Sequence, residues 1–154
     1  MVNRSLLLAV TAVSLGFAPA PIFRERPPAG AEAVRRQMEG VWIIESYSVG
    51  GVVQGGPGQK WEKVLITRGT WSQTCRVDGK ELNTTPYVIA IDEKDSSRLD
   101  MAYAGATAPL IWGVLRLDGD RLDVTHATYG PRPTSQTSEL LSSQERFVLR
   151  RARP

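Results

Sequence analysis

The chain has 154 residues, which is enough for one domain with a sizeable core and too few for two ordinary ones. Its 42% hydrophobic and 23% charged residues are the balance of a globular protein, not a disordered one. One cysteine and one histidine exclude a disulfide framework and a Cys/His zinc site within one chain, while a formal charge of +3 and a pI near 9.3 raise the question of an anionic partner.

The chain opens with a short positive stretch, Met1 to Arg4, and a 13-residue apolar run, Ser5 to Phe17. Ala18-Pro19-Ala20 then supplies a small-x-small site, so residues 1–20 read as a secretory signal. The run is shorter than the roughly 20 apolar residues that span a bilayer. Pro21 is a poor residue after a cleavage site, so an uncleaved N-terminal anchor is the alternative, and only then is a membrane a partner. No cysteine follows the run, which excludes a lipoprotein anchor. Residues 21–30 (PIFRERPPAG) form a Pro-rich linker, and the domain is expected over 31–154.

This division changes the charge argument. Arg4, Arg24 and Arg26 against Glu25 put +2 of the +3 in the first thirty residues, leaving 16 basic and 15 acidic residues in the domain. Without a basic stripe interleaved with aromatics, nucleic acid is not an expected partner.

Ala31 to Met38 is the one helical stretch. Eight strand-like runs follow: Val41 to Val49, Trp61 to Thr67, Thr70 to Val77, Lys80 to Ile91, Ser97 to Tyr103, Leu110 to Leu117, Asp120 to His126 and Gln144 to Arg151. Arg68-Gly69, Asp78-Gly79 and Asp118-Gly119 sit between neighbours. Two-residue hairpins need positive φ at their central positions, so these pairs predict antiparallel neighbours in chain order. Crossover helices are absent, and an antiparallel meander of eight strands removes its edges by closing. The expected fold is therefore an all-β, eight-stranded up-and-down barrel with a short helix before strand one.

Alternation points Val64, Ile66, Trp71, Cys75, Val77, Tyr87, Ile89 and Ile91 inward. The later strands add Leu99, Met101, Tyr103, Gly113, Leu115, Leu117, Leu122, Val124, Phe147 and Leu149. Both faces of the first strand are apolar, which leaves its parity open. Pro86 requires the fourth run to bend, bulge or start late.

Gly40-Val41-Trp42, just after the helix, resembles the Gly-x-Trp pattern of lipocalins. The resemblance implies that Trp42 plugs the closed end of the barrel beneath an arginine of the last strand, Arg150 or Arg151, with Arg150 taken as the closing residue. The wider pattern is similar to a lipocalin-like domain family of unknown function common in planctomycete bacteria. It rests on Met38 to Trp42, Ile91-Asp92, Leu99-Asp100-Met101, Gly113 to Leu122, Arg132-Pro133-Thr134 and Val148 to Arg151. Thr85-Pro86-Tyr87 departs from that pattern where a glycine is usual. The family carries no assigned activity, so the resemblance implies fold and compartment and transfers no catalytic residue.

Few residues suggest chemistry. His126 points inward at a strand end, either as a polar group that orients a ligand or a general base, or as a histidine hydrogen-bonded to a loop; the last is the simpler reading. Cys75 reads as a buried, inert thiol, since a reactive one needs a base and an electropositive setting. Asp118, Asp120 and Asp123 match no calcium loop and are explained by a hairpin turn. Gly55-Gly56-Pro57-Gly58 lacks the Lys-Ser/Thr of a phosphate loop. No nucleophile–base pair or metal cluster emerges, so no catalysis, cofactor or metal is expected.

Four tryptophans and four tyrosines are many for such a domain, and an eight-stranded barrel either packs solid or holds one small ligand. Trp61, Trp71, Tyr87, Tyr103, Leu115 and His126 are the candidate ligand-binding residues, and Trp42 and Arg150 the barrel-closing pair. The expectation is an exported, periplasmic or extracellular, monomeric domain that binds a small hydrophobic or amphipathic molecule. The alternative is a solid-cored scaffold for an envelope protein, with the 127–137 and 50–60 loops as contacts.

Overall fold

The computed structural model describes residues 30–54, 61–137 and 142–153. The expected signal segment 1–20, the linker apart from Gly30, and residues 55–60 of the glycine-rich loop lie outside the described residues.

Among the described residues one helix, α1 (Ala31–Met38), precedes ten strands. These are β1 (Gly40–Val49), β2 (Val52–Gln54), β3 (Trp61–Thr67), β4 (Thr70–Val77) and β5 (Lys80–Asn83), followed by β6 (Tyr87–Ile91), β7 (Arg98–Tyr103), β8 (Ile111–Asp118), β9 (Arg121–Ala127) and β10 (Gln144–Arg151). Eight of them, in the order β1-β3-β4-β6-β7-β8-β9-β10, form a continuous antiparallel sheet that closes by pairing β10 back onto β1. Closure leaves no long edge to be covered.

Turn chemistry explains most of the path. Arg68 and Gly69 take φ of 48° and 74°, and Asp78 and Gly79 take 49° and 76°, the paired left-handed conformation that a two-residue hairpin of matching twist requires. Gly50 and Gly51 do the same and return the chain as β2, a three-residue exposed strand that no periodicity announces. The β8–β9 hairpin differs from the expected Asp118-Gly119 pair. Asp118 still pairs with Arg121, and the turn is Gly119-Asp120, with only Gly119 (φ 56°) in the left-handed region. The fourth predicted strand is two strands. Thr84 N donates to Gln73 O at 2.8 Å and Thr84 Oγ1 accepts from Gln73 N at 2.9 Å, so Thr84 takes a rung of the ladder just before Pro86, which has no N–H to give.

The closed end is built around Trp42, which is fully buried and donates its Nε1–H to Met38 O at 2.7 Å, tying α1 to the first strand. Arg151, not Arg150, lies over its ring, with the guanidinium carbon 4.3 Å from the centroid. Arg151 also donates to Glu39 O at 2.7 Å and to Gln37 O, the free carbonyls at the end of α1. Parity decides between the two arginines: Phe147, Leu149 and Arg151 share the inward face, while Arg150 points out and pairs with Glu45 at 2.9 Å. Gly40 is required at this end, since its φ is 133° and a Cβ there would stand 2.9 Å from Arg151 Nη1.

Ile66, Leu99, Leu122, Val124, Phe147 and Leu149 fill the lower barrel at 1% exposure or less, each burial contributing about 1.5–3 kcal/mol. Val77 and Tyr103, expected inside, are 39% and 44% exposed because both lie at strand ends that project past the rim. The loop after β9 is fastened to the outside of the wall: Arg132 donates to Leu99 O (3.0 Å) and Gly113 O (2.8 Å) and pairs with Asp100.

Candidate ligand pocket at the open end of the barrel

At the end opposite α1 the barrel contains a cavity of about 180 Å³. Its wall takes Trp61 from β3, Trp71 and Gln73 from β4, Tyr87 from β6, His126 from β9 and Glu145 from β10. Thr84, Met101, Ile111 and Thr128 complete it.

Phe147, one inward position along β10 from Glu145, lies beneath these wall residues at 1% exposure. Three rings pack on it: Tyr47 stacked at 4.7 Å, His126 stacked at 5.6 Å and Trp71 edge-on at 6.3 Å. Such geometries add about 0.5–1.5 kcal/mol per pair beyond burial, so this layer is rigid.

Two β-bulges shape the wall. In β1 the register against β10 slips between Ile44 and Ser46, leaving Glu45 outside as the extra residue. Inward positions change from Trp42 and Ile44 to Tyr47, which pairs with Phe147. In β3 the register slips between Trp61 and Lys63, putting Glu62 outside against Arg76 and aligning Trp61 with Cys75. A bulge re-aims the next side chain, and here each one turns an aromatic ring toward the mouth.

Burial and one carboxylate govern the electrostatics. Tyr47 donates to Glu145 Oε2 at 2.8 Å. Burial first, then that hydrogen bond and the carboxylate charge, push the Tyr47 phenol well above its ordinary range, so it stays a donor. Tyr87 is pushed up to about 12, by burial and then by its contact with Tyr103, whose hydroxyl is 3.3 Å away and whose ring stacks at 4.9 Å. Burial pulls His126 below its ordinary value, and Glu145 offsets part of that. The imidazole is therefore neutral at pH 7. It lies beside Gly113, where a Cβ would meet Thr125 O at 2.9 Å and His126 Cβ at 3.1 Å, so β8 and β9 approach this closely only because residue 113 is glycine.

Two buried polar atoms in this wall have no hydrogen-bond partner, Trp71 Nε1 and His126 Nδ1. Leaving such an atom unsatisfied costs about 1–3 kcal/mol, and native structures rarely carry one without a reason. A third, Thr125 Oγ1, belongs to the other face of β9, and nothing in the structure explains it. The expected hydrogen bond from a loop to His126 is not made at Nδ1.

Of the six residues singled out from sequence, Trp61, Trp71, Tyr87 and His126 come together here. Leu115 points inward but pairs with Val124, one inward layer below the Gly113–His126 pair, and belongs to the packed core. Tyr103 stays at the rim behind Tyr87. Sequence reasoning missed Glu145 and Gln73 as site residues. Both were within reach of alternation: Glu145 is two residues before Phe147, and Gln73 lies between Trp71 and Cys75. Cys75 is buried at 7% exposure and is not part of the wall.

A larger hollow, about 380 Å³, lies on the outer face of β8 to β10, where its described residues are Arg116, Asp118, Arg121, Asp123 and Arg146. Its charges largely cancel, Asp123 already holds Arg146 through two hydrogen bonds (2.9 and 2.6 Å), and neither of the two unpartnered wall atoms faces it, so it is the weaker candidate. Among the described residues no group of three or more His, Cys, Asp or Glu is placed to hold a metal ion, and no helix is long and apolar enough to cross a membrane. No family model, curated protein or solved structure matches the chain.

Proposed function

We propose that the protein is an exported, lipocalin-like domain that binds one small amphipathic molecule in the open end of its barrel. The observation that carries this reading is the pair of buried, unpartnered groups, Trp71 Nε1 and His126 Nδ1, in the wall of an otherwise aromatic cavity. Ligand sites combine such walls with a few convergent polar groups. The cavity's size narrows the ligand. About 180 Å³ is below the roughly 300–1,000 Å³ of sites for drug-sized molecules, so a long acyl chain or a retinoid does not fit. That no hydroxyl or thiol meets His126 at Nδ1 supports binding rather than turnover. The apolar run over Ser5 to Phe17 supports export, as does the Gly40-Val41-Trp42 opening for the lipocalin-like class.

Indole fluorescence tests the reading directly. Trp61 and Trp71 line the wall, so a panel of small aromatic probes titrated into the full chain should change emission saturably, and Trp71→Phe should reduce the response. Probes that bind only without saturation, or a response untouched by Trp71→Phe, would sink it.

A further inference from the structure

The polar side of the cavity has one sign. Glu145 is the sole carboxylate among its described wall residues, and none of these is lysine or arginine. No ion pair joins Glu145 to a described basic residue, and Tyr47 donates to its Oε2. In the sheet Glu145 pairs directly with His126, so the carboxylate and the imidazole stand side by side on neighbouring strands, both inward. In the Nε2–H tautomer, His126 Nδ1 is an acceptor. Two adjacent acceptors, one of them charged, are therefore flanked by the rings of Trp61, Trp71 and Tyr87, whose faces are electron-rich.

We infer that the ligand is a small organic cation: an amine whose ammonium lies between the Glu145 carboxylate and His126 Nδ1, with its apolar body against the Trp61, Trp71 and Tyr87 rings. The inference rests on the pocket reading above and adds the sign of the ligand's charge. Each part of the wall contributes a separate reason. An ammonium has N–H donors for both acceptors and no acceptor of its own. Ring faces attract a desolvated cation electrostatically. An anion of the same shape would meet Glu145 with no compensating cation, and a neutral analogue would leave the carboxylate desolvated and unpaired. Burial keeps His126 uncharged, and no described wall residue is lysine or arginine, so none of these supplies a counter-ion in the ligand's place. Trp71 Nε1–H remains to bond an acceptor elsewhere on the ligand or a water. The volume sets the size. At about 30 Å³ for each water displaced, 180 Å³ holds about six waters, which a ring bearing a one- or two-carbon amine arm replaces.

Three probes that share one body separate the possibilities: benzylamine, benzyl alcohol and benzoate, titrated into the full chain by calorimetry at neutral pH. Benzylamine should bind at least about tenfold more tightly than benzyl alcohol, and benzoate most weakly. Glu145→Gln keeps an acceptor for Tyr47 and should bring benzylamine and benzyl alcohol within about twofold of each other. Equal binding of benzylamine and benzyl alcohol to the wild-type chain overturns the cation assignment and leaves the pocket reading standing. Saturable binding of none of the three overturns both. The wild-type ranking decides the matter even where the Glu145→Gln chain fails to fold.

Discussion

Arg151→Met and Arg150→Met differ by one position in β10 and should differ several-fold in cost. Arg151 makes two hydrogen bonds to the carbonyls of Gln37 and Glu39 and lies 4.3 Å over the Trp42 ring, with 30% of its side chain exposed. Discounted for that exposure, each charge-assisted bond contributes about 1 kcal/mol and the cation–π contact about 0.5–1 kcal/mol. Methionine keeps the aliphatic packing and loses all three, together with the 3.7 Å ion pair to exposed Asp120, a predicted cost of about 2.5–3 kcal/mol. Arg150 pairs with Glu45 at the surface, with half of its side chain exposed (51%), and such a pair contributes about 0–1 kcal/mol. Urea unfolding followed by tryptophan fluorescence measures both: the Arg151→Met midpoint should fall sharply at unchanged slope, while Arg150→Met stays within about 0.5 kcal/mol of wild type. Arg151→Lys, which keeps the charge but cannot fork between two carbonyls, should recover only part of the loss. Equal costs at the two positions, or a cost below about 0.5 kcal/mol at Arg151, would refute the account of the closed end.

Two further outcomes follow from the open end. Gly113→Ala places a methyl 2.9 Å from Thr125 O, a backbone atom that cannot swing aside, so the β8–β9 spacing must give; a cost of about 1–3 kcal/mol and weakened probe binding are expected, read by urea unfolding and titration. His126 titrates below its ordinary value of 6.5 in the folded chain, so the unfolded chain takes up the proton first. Its contribution is complete above about pH 6.5 and is lost as pH falls toward the depressed folded value, at up to about 1.4 kcal/mol per pH unit. Urea midpoints between about pH 7 and 5 should show that slope, and His126→Gln should flatten it. Parallel slopes for the two chains would mean that the imidazole is not held neutral by burial.

Much of the barrel was legible because each hairpin is set by local chemistry. Arg68-Gly69 and Asp78-Gly79 adopt the left-handed pairs that their composition suggests, and alternation then assigns Val64, Ile66, Ile89, Leu99, Met101, Leu122 and Leu149 to the core. What stayed hidden depends on contacts between strands distant in sequence. The bulges at Glu45 and Glu62 arise from pairing registers of β1 with β10 and of β3 with β4, and one extra residue reverses every inward assignment beyond it. Tyr47 was therefore unassignable from a strand with two apolar faces. Arg151 was separable from Arg150 only by counting from Leu149. The short β2 and the Gly119-Asp120 turn escaped because three residues carry no period and because Asp-Gly fits two hairpin phases equally well.

The same polar residues explain why the upper barrel is hollow at all. Below Phe147 the inward positions, apart from Arg151 at the closed end, are aliphatic or aromatic, and such side chains collapse onto one another to native density. Above it the inward set changes to Gln73, Tyr87, His126 and Glu145, with Thr84 and Thr128 at the rim. Collapse there would strip water from a carboxylate that has no ion pair to a described basic residue, at a cost of several kcal/mol, and would leave the imidazole nitrogen without a partner, while gaining little apolar contact. The cavity persists because closing it costs more than leaving it wet. A ligand that supplies N–H donors to Glu145 and His126 and apolar surface to Trp61 and Trp71 removes both penalties at once. The groups that keep the space open are thus the ones that select its occupant.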